Sequence, residues 1–132
     1  LGRKQACEEA MKILKMIGLE GLSEIPSRGI SLSQQRQLEL GRVLMTGAEI
    51  LLLDEVMAGL NPTEVEAALR LLERIRGEGK TLILVEHVMQ AVMKISERIV
   101  VLNHGEKIAE GKPEEVVQNP EVIQAYLGRP YA

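Results

Sequence analysis

The sequence predicts an α/β fold in which parallel strands are flanked by helices, and two runs with the segment between them carry that expectation. Glu49-Ile50-Leu51-Leu52-Leu53-Asp54-Glu55 and Thr81-Leu82-Ile83-Leu84-Val85-Glu86-His87 are each a short apolar run that ends abruptly in polar residues. This is the pattern of a strand buried on both faces beneath helices. Between them Val65, Leu69, Leu72 and Ile75 fall at helical spacing behind Pro62, which suits a first helical turn, until Gly77 and Gly79 break the pattern. A strand, helix, strand order of this kind implies a crossover and parallel pairing.

The remaining elements follow in order. Ala6, Ala10, Ile13, Leu14 and Ile17 repeat at helical spacing, with Gly18 placed for a left-handed C-terminal cap. Residues 19–33 hold Gly21, Pro26 and Gly29 among serines and read as an irregular connection. It feeds a helix that starts near Ser33 and runs from Gln34 to Met45, with Leu38, Val43 and Leu44 as packing residues. After the second strand, Val88 to Ile95 reads as a short helix. Arg98 to Leu102 and Lys107 to Ala109 then flank the turn signal Asn103-His104-Gly105-Glu106, which predicts an antiparallel hairpin. In the tail, Pro113 and Pro120 suit helix starts, with Glu114, Glu115 and Glu121 in first turns where the helix dipole favours negative charge.

Composition narrows the function. At 132 residues, 45% hydrophobic and 27% charged, the chain holds one compact domain or part of one. Its apolar runs are far shorter than the roughly 20 residues of a membrane span. The single cysteine, Cys7, forms no internal disulfide, and no leader opens the sequence, so a cytoplasmic location is expected. A net charge of −3 without a basic cluster argues against nucleic acid, as does the lack of Phe and Trp beside only Tyr126 and Tyr131.

Two parallel strands joined by a crossover end on one edge of a sheet, so Asp54, Glu55 and His87 are expected to gather there. Paired carboxylates suit a cation and a water, one acid holding Mg²⁺ through coordinated waters and the other accepting a proton as water attacks. A nearby imidazole can contact a terminal phosphate. Taken singly, acids at a strand end are as readily solvated turn residues, and a lone histidine is more often structural. Co-location on one edge is what discriminates.

These residues resemble a known family. Ile50 to Glu55 is similar to the Walker B strand of ABC ATPases, and His87, 32 residues beyond Glu55, is similar to their switch histidine. Ala58-Gly59-Leu60-Asn61-Pro62 resembles the D-loop in the form used by branched-chain amino-acid importers. Gln34-Gln35-Arg36-Gln37-Leu38-Glu39 with Gly41-Arg42 resembles the helix after the family signature, and Asn119 to Gly128 resembles the tail of that subfamily.

The resemblance implies the C-terminal half of a P-loop-type ABC ATPase domain that binds and hydrolyses ATP with Mg²⁺. Residues 1–48 would be part of the helical subdomain, 49–112 the C-terminal part of the ATPase core and 113–132 tail helices. Asp54 would support Mg²⁺, Glu55 polarise the attacking water, His87 contact the γ-phosphate and Asn61 sit at a dimer seam. Ser31, Ser33 and Gln34, within the signature-like segment Ile30 to Gln34, would close over ATP held by a second ABC ATPase subunit, identical or different. Further implied partners are transmembrane permease subunits and, indirectly, a periplasmic or extracellular substrate-binding protein, with the ATPase peripheral on the inner face of the membrane. Alternatives are a non-catalytic half-domain that donates signature and D-loop surfaces to an intact partner, and a soluble ABC ATPase of repair or translation.

Departures from the family pattern are specific. The usual Leu-Ser-Gly-Gly-Gln reads Ile30-Ser31-Leu32-Ser33-Gln34, Val56 stands where proline is usual, and no Gly-x-x-x-x-Gly-Lys-Ser/Thr phosphate loop occurs in the 132 residues. The expectation is therefore a fragment or partial reading frame that is inactive alone.

Overall fold

Helix α1 (Arg3–Met16) ends as its sequence predicts. Gly18 adopts φ +75°, the Leu19 N–H donates to the Leu14 carbonyl (2.8 Å) and the Gly18 N–H to that of Lys15 (3.2 Å), so two otherwise unpaired helix carbonyls are satisfied. The structure, a computed structural model, describes residues 2–128; residues 129–132 of the predicted tail lie outside that range. The chain divides into two compact units at Glu86/His87.

In the first unit, two short 3₁₀ turns lead to α2 (Leu32–Leu44), which starts slightly before the expected position because Ser31 serves as its N-cap. Helices α1 and α2 approach closely at Gly41, where an added Cβ would stand 2.7 Å from Ile17 Cδ1 and 3.3 Å from Ile13 Cγ2. Strand β1 (Ile50–Asp54), helix α3 (Pro62–Gly77) and strand β2 (Thr81–Val85) form the predicted crossover. The two strands pair in parallel from Ile50↔Thr81 to Asp54↔Val85. The buried face of α3 consists of Leu69, Leu71, Leu72 and Ile75, and each of these side chains contributes about 1.5–3 kcal/mol when fully removed from water.

One expectation is corrected. Strand β1 is buried on one face only, with Leu51 at 1% exposure and Leu53 at 5%, while Leu52 is 73% exposed and Ile50, Ile83 and Val85 are also open. Successive strand side chains point to opposite faces. The described residues cover one face and leave the other, equally apolar, exposed.

The second unit opens with α4 (Met89–Ile95), followed by β3 (Ile99–Asn103) and β4 (Glu106–Gly111) in an antiparallel hairpin. His104 and Gly105 take φ of +48° and +81° at its turn, the backbone that a two-residue connection of type I′ requires. Helices α5 (Pro113–Val116) and α6 (Pro120–Val122) begin at the predicted prolines. Ile99, Val116 and Val122 form the core of this unit, with Val92, Met93, Val101, Ile108 and Ala109 packed around them. Tyr126 Oη donates to the Leu102 carbonyl, tying the tail to β3. On the surface, Lys107 hydrogen-bonds Glu110 and, with Arg98, holds its carboxyl below the usual range. No helix among the described residues is long and apolar enough to cross a membrane.

The α1–α2 approach generates a prediction with two signs. Gly77→Ala, where nothing lies within 4 Å of the added methyl, is expected to stabilise the chain by about 0.5–1 kcal/mol through helix propensity. Gly41→Ala should instead destabilise it by about 1 kcal/mol or more, since the methyl meets a buried Ile17 and overpacking outweighs propensity. Urea unfolding of the two variants checks both signs.

Candidate active site

The site is built from the ends of β1 and β2. Asp54 is the last residue of β1 and pairs with Val85, the last of β2. Pairing extends one step further, because the Glu55 N–H donates to the Val85 carbonyl at 2.8 Å. Glu55 itself takes φ +48°, a left-handed backbone that costs a non-glycine residue about 1–2 kcal/mol. The chain turns there, held by an Ala58 N–H to Glu55 carbonyl bond of 3.1 Å and a Leu60 N–H to Met57 carbonyl bond of 3.2 Å. Asp54 and Glu55 are thus adjacent, exposed carboxylates at one sheet edge.

A third carboxylate joins this edge. Glu86, directly after β2, accepts the Met57 N–H on Oε1 at 2.9 Å across 29 residues of sequence. Its other oxygen is shielded from solvent and makes no hydrogen bond among the described residues. The sequence reading passed over Glu86, although the signal was the one that marked its neighbours: it belongs to the polar end of the second apolar run. His87 follows it as an exposed residue at the start of the second unit.

The D-loop-like segment ends in a capping box. Asn61 Oδ1 accepts the Glu64 N–H (3.0 Å), and Glu64 Oε2 accepts the Asn61 N–H (3.0 Å), with Pro62 at the first helical position. The signature-like segment does the same at α2. Ser31 Oγ accepts the Gln34 N–H (3.2 Å) and Gln34 Oε1 the Ser31 N–H (2.9 Å). Gln35 adds a bond from Nε2 to the Ile30 carbonyl at 3.2 Å. Ser31 and Gln34 therefore use their side chains on their own backbone.

The residues at the two departures have neighbours. Leu32, at a position that is glycine in the usual signature, sits with Cδ2 3.2 Å from where a Cβ on Gly59 would stand. Ser33, at the other, lines a narrow cavity of about 20 Å³ with Arg36, Val56, Leu60 and Glu64 among its walls. The segments resembling the signature and D-loop are thus in contact within one chain.

Among the described residues no three His, Cys, Asp or Glu side chains group to hold a metal ion. Mg²⁺ keeps several waters and is bound through one or two carboxylates plus substrate phosphates, and the Asp54–Glu55 edge fits that requirement.

Comparison with known proteins finds ATP-binding cassette relatives. A family model described as "Branched-chain amino acid ATP-binding cassette transporter" matches residues 106–132. The chain is 42% identical over 126 residues to the high-affinity branched-chain amino acid transport ATP-binding protein BraF of Pseudomonas aeruginosa, covering 95% of this chain and 49% of that protein. It is 41% identical over 127 residues to LivG of Escherichia coli K12, covering 96% and 50%. Among solved structures, a nucleotide-free ATP-binding cassette from an ABC transporter superposes with a TM-score of 0.88 at 26% identity, covering 97% of this chain and 52% of that one. An ATP-binding cassette of an ABC transporter in its ADP conformation gives 0.87 at 28%, covering 95% and 51%.

The fold, with its carboxylate-bearing strand edge, defines part of an ATP-binding cassette ATPase domain. Within that class the chain is similar to about half the length of branched-chain amino acid transport ATP-binding proteins such as BraF and LivG. It spans about half the length of the curated relatives it matches.

The capping geometry is directly testable. Asn61→Ala removes the acceptor for the Glu64 N–H and should lower stability by about 1 kcal/mol, whereas Asn61→Asp should keep most of it. Urea denaturation of both variants measures the difference, and an unchanged Ala midpoint would contradict the box.

Proposed function

We propose that this chain supplies the hydrolytic edge of an ATPase subunit that drives a branched-chain amino-acid importer. The adjacency of Asp54 and Glu55 at the paired ends of β1 and β2 carries the reading. Asp54 would hold Mg²⁺, which when bound neutralises phosphate charge, and Glu55 would accept a proton from the attacking water. His87 would contact the γ-phosphate.

In the same reading Ser31, Ser33 and Gln34 form the signature segment that faces nucleotide on a second ATPase subunit, and Asn61 lies at the seam between the two. The helix start of α2 suits this role physically, because the helix dipole and the first-turn N–H groups that the Ser31–Gln34 capping box does not use favour phosphate. Residues 1–48, 49–112 and 113–132 serve as helical subdomain, core and tail. Permease subunits receive the motion, an external binding protein delivers the substrate, and the subunit works on the cytoplasmic face of the membrane. The relatives' names favour transport over repair or translation.

A second reading rests on a specific observation: the signature-like start of α2 and the D-loop-like segment lie together, with Leu32 against Gly59 and Ser33 beside Leu60 and Glu64. The chain could then act by lending its signature and D-loop surfaces to an intact ATPase. Nucleotide-dependent co-purification with such a partner distinguishes this reading.

The hydrolytic reading predicts that Glu55→Gln, in a subunit completed by a phosphate-loop half, keeps ATP binding and lowers turnover by about 10²–10⁴. Steady-state phosphate release checks it. A rate within about twofold of the parent would remove Glu55 from the base role.

A further inference from the structure

We propose that Glu86 is a positioning residue for Glu55, acting through the loop that both share. The inference rests on the hydrolytic reading above and adds a residue to it. Glu55 is followed by a buried anchor, Met57, with 1% exposure, and the Met57 N–H is held by Glu86 Oε1 at 2.9 Å. One step earlier the Glu55 N–H is held by the Val85 carbonyl at 2.8 Å. Two consecutive residues of β2 and its end therefore grip the chain on either side of Val56, one with main chain and one with side chain.

That grip has a purpose in the backbone. Glu55 holds a left-handed φ of +48°, which persists only where the surroundings over-determine it. With the Met57 bond removed, the loop keeps its main-chain tie at Glu55 but loses the one beyond it. Relaxation of φ at Glu55 then redirects its carboxylate, and small misplacements of a reacting group cost on the order of 10²-fold in rate. Glu86 in this account touches neither substrate nor metal. What it contributes is an acceptor at a fixed reach, and its charge is secondary.

Two substitutions separate reach from charge. Glu86→Asp keeps the carboxylate but draws the acceptor back by one C–C bond, about 1.5 Å, too far for a hydrogen bond to Met57. Glu86→Gln keeps a carbonyl oxygen at full length and discards the charge. In the complete subunit, Glu86→Asp is expected to lower kcat at least tenfold with the Kd for MgATP within about twofold of the parent. Glu86→Gln should lose less than about threefold. In the 132-residue chain, amide exchange at Met57 should accelerate at least tenfold in the Asp variant and much less in the Gln variant.

The inference is overturned if Glu86→Gln is as damaging as Glu86→Asp, which would make charge the contribution, or if Met57 exchange is unchanged in Glu86→Asp. Glu55→Gln run in parallel keeps the two proposals apart. A loss in Glu55→Gln with parental kcat in Glu86→Asp sinks only the role of Glu86. Parental turnover in Glu55→Gln sinks the hydrolytic reading, while the exchange measurement still judges the grip on Met57.

Discussion

Parallel pairing of β1 with β2 is the constraint on which the rest of the site depends. Five registered pairs end at Asp54↔Val85, and parallel strands with equal ends deliver their next residues to the same edge. Asp54, Glu55 and Glu86 reach that edge because of register. A slip by one residue would invert every side chain on β2, carrying Glu86 away from Met57 and exchanging the buried and exposed faces.

Local devices then refine what pairing sets coarsely. The left-handed turn at Glu55 reverses the chain, the Met57–Glu86 bond fixes its far side, and the Asn61–Glu64 box starts α3 at once. Each interaction is modest, about 1 kcal/mol for a cap and about 1.5–3 kcal/mol for a hydrogen bond to a carboxylate. Their joint effect is geometric, since they leave the segment between strand and helix few alternatives. The contact of Leu32 at Gly59 extends this restraint to the start of α2.

Much of this was legible in the sequence, for identifiable reasons. Apolar runs ending in charge gave both strands, the Pro62 to Gly77 period gave the crossover helix, and Asn103-His104-Gly105-Glu106 gave the hairpin, because each rests on local chemistry. The carboxylates at Asp54 and Glu55 were legible for the same reason. Burial of β1 was misread: an unbroken apolar run states that both faces prefer cover, and Leu52 shows that the described residues cover only one. Glu86 was missed because its role is a contact across 29 residues, which no local pattern encodes. The strain at Glu55 was likewise invisible, since nothing in a Glu-Val dipeptide calls for positive φ.

Positioned carboxylates act only on a substrate that something else holds. The phosphate loop, whose backbone N–H groups and lysine cradle a triphosphate, is not among these 132 residues, while proximity contributes roughly 7–11 kcal/mol of a catalysed barrier. Under the proposed function the labour is divided: Asp54 and Glu55 supply the hydrolytic edge, and a triphosphate is held by residues other than these 132. Calorimetric titration of the purified 132-residue chain with MgATP, with phosphate release followed in the same sample, tests this most directly. The account predicts no binding tighter than about millimolar, worth roughly −4 kcal/mol, and no turnover. Micromolar binding with turnover abolished by Glu55→Gln would contradict it.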